Sequence, residues 1–288
     1  MLNIKKILLP VDFPITSLDV IHQAAMLAGH FHSEIVMLHV VTALNHSAGV
    51  PEDDRESPDW DLLTEIIKEA RKQQVQSLSA ELDGLTIRRM LVKGDPAWAI
   101  VKMAEEEKAD LIVMPSHGAT AEQFLLGSVA AKVFSRTGCP IWTGAHLEQS
   151  PEQKFAIRNV LCAVDLSPRS NEAVSWAAPL AAEFGARLTL AHVTAGVEFW
   201  GPGGVCVDQE WKKALVDDAA QRIAKFQQDT GIKADVFIGI GDVPKALSQA
   251  AKQTKADLLV TGCYPYGTHQ RTHGYAIICA VPIPVLSI

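Results

Sequence analysis

An internal duplication limits the folds open to this 288-residue chain more than any other feature of its sequence. The stretch that opens ILLPVD matches a later one that opens VLCAVD, with Asp12 over Asp165, an offset of 153 positions. The match resumes further on with Gly94 over Gly241, an offset of 147, because the first copy carries six additional residues. A unit of this length exceeds a solenoid repeat, so each copy is predicted to be a complete domain.

The duplication also places the domain boundaries. We predict a first domain over residues 1–147 and a second over residues 156–288, called here the first half and the second half. The segment Leu147–Phe155 between them is rich in Glu, Gln, Ser and Pro, a composition typical of linkers.

Within each half, short apolar runs alternate with stretches of helical spacing. Leu18, Ile21, Ala25 and Ala28 recur at helical spacing, and Asp95-Pro96 and Asp242 have the chemistry that opens a helix after each glycine. Near-continuous apolar strands are typical of a parallel sheet covered on both faces. The pattern predicts an α/β chain with two tandem doubly wound open sheets of about five parallel strands each. The predicted strands are 7–11, 35–41, 86–92, 111–114 and 140–143, then 160–164, 188–193, 234–238, 258–261 and 285–288.

Composition argues against several classes of function. The net charge is -7, and residues 1–150 hold 13 Lys and Arg against 20 Asp and Glu, which disfavours nucleic-acid binding. The opening MLNIKKILLPVDF has too short an apolar run for a signal peptide or a membrane span. The five cysteines form no C-x-x-C pair, a pattern typical of reduced thiols. We therefore expect a cytoplasmic protein without a membrane attachment.

Polar residues that follow strands one and four are the first candidates for a binding site. Ligands of doubly wound sheets lie beyond the carboxyl ends of the strands, where the winding reverses. Asp12 and Asp165 follow strand one of the two halves, while MPSHG at 114–118 and TGCYP at 261–265 end strand four and continue beyond it.

Across nearly its whole length the chain resembles the universal stress protein family. The resemblance rests on the opening ILLPVD, on LHV in strand two, on KADLIVM around strand four and on LLGSV. It implies a Rossmann-like, adenine-nucleotide alpha-hydrolase-like fold with strand order 3-2-1-4-5. It also implies an adenine nucleotide, ATP with or without Mg²⁺, as the ligand.

The phosphate-binding pattern of the family is altered in both halves. Family members that bind ATP carry G-x-x-G, nine residues and then G-S/T, in which glycines let backbone amides approach the phosphates at a helix start. The first half reads P-x-x-G from residue 115, then eight residues and Gly127-Ser128; its proline lacks an amide donor. The second half reads G-x-x-P from residue 262, then eight residues and Gly274-Tyr275, and so departs further.

The resemblance assigns roles to individual residues. Asp12 would receive the adenine, and the backbone around Val40 and Val41 would flank the base and the ribose. Residues 118 and 127–129 would surround the phosphates, with His117 in the nearby loop. The full set of nucleotide-binding candidates is Pro10, Asp12, Val40, Val41, Met114, Pro115, His117, Gly118, Gly127, Ser128 and Val129, with Asp165, Gly262 and Gly274 in the second half.

Structural interpretations stay open for several of these residues. Asp12 is also suited to stabilising the turn after strand one, Ser128 to capping a helix, and the glycines to tight turns. His39 and His192 are interpreted as structural residues at a strand end.

Other chemistry has little support in the sequence. A zinc site that uses His269 and His273 is conceivable, because Cys263 and Cys279 are close to them in sequence. The sequence contains neither a G-x-x-x-x-G-K-[ST] loop nor a G-x-S-x-G elbow, and we assign no catalytic residue.

The leading interpretation is a non-catalytic stress-response module that binds ATP in its first domain and an unidentified protein partner. One alternative is a nucleotide-free, partner-binding scaffold with decayed sites, which Pro115, Pro265 and Tyr275 favour. The other is a weak nucleotide hydrolase, which DFPITS and DLSPRS oppose, because the related pyrophosphatase loop reads S-G-G-x-D-S.

The resemblance finally implies how the two halves meet. Family members commonly dimerise through their last strands, and a tandem chain would satisfy that pairing internally. Ile141-Trp142 would then lie beside Val285-Leu286, forming an intramolecular pseudo-dimer whose sheet edges cover each other. Further homodimerisation of whole chains stays open.

Overall fold

The computed structural model describes residues 2–11, 18–41, 82–116, 127–144, 155–194, 209–262 and 271–288. Each half contributes five described strands, all within two residues of their predicted bounds. They are β1 (Lys6–Pro10), β2 (Glu34–Val41), β3 (Ile87–Lys93), β4 (Leu111–Met114), β5 (Ile141–Thr143), β6 (Asn159–Ala163), β7 (Arg187–Thr194), β8 (Asp235–Ile240), β9 (Leu258–Thr261) and β10 (Val285–Ser287).

Seven helices of the described residues cover the strands. Those of the first half are α1 (Leu18–Phe31), α2 (Pro96–Glu106) and α3 (Ser128–Arg136). Those of the second half are α4 (Ser170–Glu183), α5 (Gln209–Thr230), α6 (Val243–Thr254) and α7 (Arg271–Ala280).

The ten strands form one continuous sheet in the order β3-β2-β1-β4-β5-β10-β9-β6-β7-β8. Within each half the order is 3-2-1-4-5 and every described pairing is parallel, which confirms the predicted fold class. The two halves meet where β5 and β10 pair antiparallel, with Trp142 opposite Leu286 and Thr143 opposite Val285. The predicted pairing of the last strands is therefore present, and it joins the two predicted sheets into one.

Turn chemistry repeats in both halves and explains where helices begin. Gly94 and Gly241 follow β3 and β8 at φ values of 145° and 99°, a backbone region that favours glycine. The next residue, Asp95 or Asp242, accepts a hydrogen bond from the amide three residues on, at 2.9 and 3.0 Å. These aspartates cap α2 and α6, as the sequence predicted.

A second repeated aspartate fixes the start of the first strand in each half. The Asp110 carboxylate accepts hydrogen bonds from the Lys5 and Lys6 amides at 2.8 and 2.9 Å. Asp257 does the same for the two amides that open β6, both at 2.8 Å. The repeated KAD sequence is thus a structural element of the duplicated unit.

The core has two layers, one on each face of the sheet. Helices α1, α4 and α5 pack on one face, and α2, α3, α6 and α7 pack on the other. On the first face the halves touch where Phe184 stacks on His30, with ring centroids 4.2 Å apart. Trp142 belongs to the same layer, and its Nε1 donates to Gln23 Oε1 at 2.6 Å.

A size exchange relates the two halves beside this joint. A Cβ atom on Gly144 would lie 2.7 Å from Val20 Cγ2, closer than real Cβ atoms approach. The matching residues of the second half are Ala173 for Val20, at the offset of 153, and Ile288 for Gly144, at the offset of 144 that relates β5 to β10. In the first half the larger residue lies on the helix, and in the second half it follows the last strand.

A charge cluster at the amino-terminal edge of the sheet belongs to the first half. Arg88 donates to Glu34 at 2.9 Å and also contacts Glu107, while Lys6 Nζ lies 3.1 Å from Glu107. Hydrogen bonds from Arg88 and Lys6 lower the pKa of Glu107 from 4.5 to about 2. In the second half the strand pair has the opposite polarity, with Arg187 3.8 Å from Asp235.

Candidate functional site

The ends of β1 and β2 form one side of the candidate site in the first half. Pro10 is buried and pairs with Leu38, and the next residue, Val11, donates its amide to the Leu38 carbonyl at 2.8 Å. The Val11 carbonyl lies 2.9 Å from His39 Nδ1. His39 therefore ties the end of β1 to β2, which fits the structural role that the sequence predicted.

Val40 and Val41 are half-buried at the carboxyl end of β2. The Val41 carbonyl accepts a hydrogen bond from the Gly94 amide at 3.1 Å, so the turn into α2 closes against this strand end. Both valines therefore lie at the carboxyl edge of the sheet, at the end of β2.

The end of β4 forms the other side. Met114 is buried, and its carbonyl accepts from the Gly144 amide at 3.3 Å. Pro115 is half-buried, and Ser116 is 3% exposed. The Ser116 carbonyl accepts from the Gly127 amide at 2.8 Å, which anchors the start of α3 directly beside the end of β4.

The amino terminus of α3 differs from those of α2 and α6. Gly127 is its N-cap and makes no side-chain capping hydrogen bond, whereas an aspartate caps each of the other two helices. Ser128 is exposed and Val129 half-buried in the first turn. The first amides of a helix have no acceptor within it and carry the positive end of its dipole. This helix start is therefore suited to an anion.

The corresponding turn of the second half is held by its own side chains. The Asp165 carboxylate accepts from the Ser170 hydroxyl at 2.7 Å and from the Ser167 amide at 2.9 Å. The Ser170 hydroxyl in turn accepts from the amides of Asp165 and Leu166, both at 3.0 Å. Asp165 is thus part of the turn that leads into α4, the structural alternative considered for such aspartates.

Of the two candidate glycines of the second half, one follows a strand and the other lies inside a helix. Gly262 directly follows β9, and a Cβ atom there would lie 4.0 Å from the Arg169 carbonyl of the turn after β6. Gly274 lies inside α7, which begins at Arg271, whereas Gly127 precedes α3. Its neighbour Tyr275 donates its hydroxyl to the Ala131 carbonyl of the first half at 2.7 Å.

Several predicted residues lie outside the described residues. They are Asp12, His117, Gly118, Cys263, His269 and the side chain of His273. In the described ranges, no three His, Cys, Asp or Glu side chains come together as a metal site. Among the described helices, none has the length and apolar character needed to cross a bilayer.

Cys162 is a buried thiol and Cys139 a half-buried one, and neither has the lowered pKa that is typical of a reactive cysteine. Burial raises the pKa of Cys162 to about 12, and burial together with the nearby charge of Asp110 raises the pKa of Cys139 to about 12. The Cys139 thiol also donates to the Ala109 carbonyl at 3.2 Å. Both cysteines are free thiols, as predicted.

The comparison with protein families decides the classification. The family model described as the universal stress protein family matches residues 3–143 and again residues 156–273. The chain belongs to the universal stress protein family. The second match ends at residue 273, so Gly274 and Tyr275 lie just beyond it.

Individual relatives support the tandem arrangement of this universal stress protein. Two universal stress proteins of Methanocaldococcus jannaschii are 36% and 30% identical over 140 and 151 residues. Each alignment covers 48% of this chain but 79% and 92% of the relative, so one relative corresponds to about half of the chain.

A solved structure matches the whole chain. A universal stress protein from Archaeoglobus fulgidus superposes with a TM-score of 0.70 at 22% identity. The superposition covers 98% of this chain and 95% of that protein. At this identity the likeness establishes the fold of the full-length chain.

The sequence did not single out two residues that organise the sheet edge in this universal stress protein. Ser116 holds the start of α3 through its carbonyl, and Ser170 holds the turn around Asp165 through its hydroxyl. Ser116 directly follows Pro115, and Ser170 ends the DLSPRS run. Both serines lie within motifs that the sequence analysis quoted, but their hydrogen-bond partners depend on the conformation of the loops.

Proposed function

We propose that this universal stress protein is a non-catalytic module that holds one ATP at the carboxyl edge of its first half. The start of α3 carries the proposal. It lies beside the end of β4, it is anchored there by the Gly127 amide, and glycine supplies no side chain to cap it. A helix start of this kind, at the edge where doubly wound sheets take their ligands, is suited to phosphate.

The remaining roles follow the resemblance of the sequence to nucleotide-binding members. Asp12 would receive the adenine, Val40 and Val41 would flank the base and ribose, and residues 117 and 118 would lie near the phosphates. Residues 1–147 would form the domain that carries the site. Mg²⁺ would accompany the triphosphate, and an unidentified protein partner would read the occupied state.

One site per chain is favoured over two. In the second half the Asp165 carboxylate is engaged by Ser167 and Ser170. Gly274 lies within α7, and Tyr275 replaces the small hydroxyl residue of the family pattern. We infer that the second half serves as a fixed structural partner of the first.

A charge placed at Ser128 tests the site. Ser128 is exposed at the first position of α3, so Ser128→Asp adds a negative charge where helices tolerate or favour one. Thermal stability should stay the same or rise, while affinity for Mg·ATP in isothermal titration falls by at least about tenfold, roughly 1.4 kcal/mol. Ser128→Asn, of similar size but uncharged, is the control and should bind within a few fold of the wild type.

The alternatives give different results in the same experiment. Equal ATP affinity in wild type and Ser128→Asp would place any nucleotide elsewhere. If the wild type gives neither titration heat nor a thermal shift with ATP, the result would favour the nucleotide-free scaffold. Pro115 is consistent with that alternative, because proline has no amide to donate to a phosphate. Steady release of ADP or AMP would indicate the hydrolase.

A further inference from the structure

Helices α3 and α7 occupy equivalent places in the two halves and contact each other across the joint. Each connects the fourth and fifth strands of its half. The Tyr275 hydroxyl of α7 donates to the Ala131 carbonyl of α3 at 2.7 Å. The Tyr275 and Phe134 rings meet edge to face, with centroids 6.3 Å apart. A polar and an aromatic contact therefore hold α3 from the second half.

The polar contact falls on the first turn of α3. The Ala131 amide donates to the Gly127 carbonyl at 2.9 Å, which closes that turn. The Tyr275 hydroxyl thus binds the residue whose amide defines the start of the helix. Movement of this turn would displace the first amides of the helix, among them those of Ser128 and Val129, which are proposed to lie near the phosphates.

The contact is built from a position that has changed between the halves. Tyr275 corresponds to Ser128 at the offset of 147. In the first half this position keeps a small, exposed hydroxyl at the helix start. In the second half it holds a half-buried aromatic residue that reaches the other half. The second half thus lacks the small hydroxyl residue of the family pattern at this position, and the tyrosine that stands there instead contacts α3 of the first half.

We propose that Tyr275 is a positioning residue for the phosphate end of the nucleotide site in the first half, an inference that rests on the proposed function. Binding is tighter when the groups that receive a ligand are ordered before it arrives. Tyr275 orders the first turn of α3 from outside the first half. The second half therefore takes part in nucleotide binding without contacting the nucleotide.

Tyr275→Phe tests the proposal, because it keeps the ring against Phe134 and removes only the hydroxyl. Affinity for Mg·ATP should fall by about three- to tenfold, the range expected for one neutral hydrogen bond. Affinity for adenosine, which lacks phosphates, should be unchanged. Amides 128–131 of the ligand-free variant should exchange hydrogen for deuterium faster than in the wild type.

Thr143→Val is the matched control. It removes another cross-half hydrogen bond from a hydroxyl to a carbonyl, that from Thr143 Oγ1 to the Val285 carbonyl at 3.2 Å, but on β5 rather than α3. It should leave the ratio of ATP to adenosine affinity and the exchange of residues 128–131 unchanged.

The outcomes separate the two proposals. If the wild type binds ATP, and Tyr275→Phe changes neither the affinity nor the hydrogen exchange, the role of Tyr275 is overturned and the proposed function stands. Equal losses for ATP and adenosine also overturn it, because they indicate general destabilisation. Absence of ATP binding by the wild type overturns the proposed function and this inference with it.

Discussion

Replacing Gln23 with leucine should destabilise the first half by breaking one buried hydrogen bond. Trp142 is 1% exposed and Gln23 is 2% exposed, and the indole Nε1 donates to Gln23 Oε1 at 2.6 Å. Leucine fills similar space but accepts no hydrogen bond, so the indole N–H would remain in the core without this partner. Leaving such a group unsatisfied costs about 1–3 kcal/mol.

The loss is measurable by thermal and urea unfolding followed by far-UV circular dichroism. At about 2–4 °C per kcal/mol, Gln23→Leu should lower Tm by about 2–12 °C. Gln221→Leu is the control, since Gln221 is exposed on α5, and it should change stability by less than about 0.5 kcal/mol.

A double-mutant cycle isolates the bond from the change in shape. In a Trp142→Phe background no indole N–H remains, so Gln23→Leu should cost less there, by about 1 kcal/mol or more. Equal effects of Gln23→Leu in the wild-type and Trp142→Phe backgrounds would refute the reasoning, because the leucine would then act through packing alone.

Three further predictions concern packing, charge and thiol chemistry. Gly144→Ala should lower the free energy of unfolding by about 1–3 kcal/mol, because the new Cβ atom would lie 2.7 Å from Val20 Cγ2. Adding Val20→Ala should recover part of that loss, which the midpoints of urea or thermal unfolding will measure. Glu107 has a lowered pKa, so its pairing stabilises the fold above pH 4.5 and the contribution is lost as pH falls toward 2. Glu107→Gln should cost about 1–2 kcal/mol at pH 7, discounted for partial exposure, and the difference from wild type should shrink across that acid range. The pKa values of Cys139 and Cys162 are raised to about 12, chiefly by burial, so both hold little thiolate at pH 8, and a variant with serine at the other three cysteines should react with a thiol reagent only slowly until it is denatured.

Each of these has a contrary result. Additive losses for Gly144→Ala and Val20→Ala would show that the two positions do not share one space. A difference between wild type and Glu107→Gln that stays constant from pH 7 to pH 2.5 would contradict the lowered pKa. Rapid labelling of the native thiols would show that the two cysteines are accessible.

Much of the fold was predictable because the same sequence pattern occurs in both halves. Two sets of apolar runs predicted the bounds of the strands and a parallel sheet, while the resemblance to the family implied the strand order within each half and the pairing of β5 with β10. The repeated Asp95 and Asp242 predicted the helix starts, because capping depends on residues only three positions apart. Local chemistry was sufficient to predict these two helix starts.

Long-range contacts were not predictable in the same way. The hydrogen bond between Gln23 and Trp142 joins residues that are 119 positions apart. It depends on the pairing of β5 with β4, which brings Trp142 into the core layer that contains α1. Gly274 aligned with Gly127 in sequence but lies inside α7, where the contacts of Tyr275 with the first half override the poor helix propensity of glycine. The residues at the strand ends could be named from the sequence, whereas the contact of Tyr275 with α3 could be found only from the structure.

The number of ATP molecules bound per chain tests the central claim most directly. Isothermal titration of the full-length protein with Mg·ATP, checked by mass spectrometry of the complex under non-denaturing conditions, gives that number. The account predicts one ATP per chain, bound at least about tenfold more weakly by Ser128→Asp. Two ATP molecules per chain would contradict the assignment of the second half as a structural partner, and none bound by the wild type would contradict the nucleotide site itself.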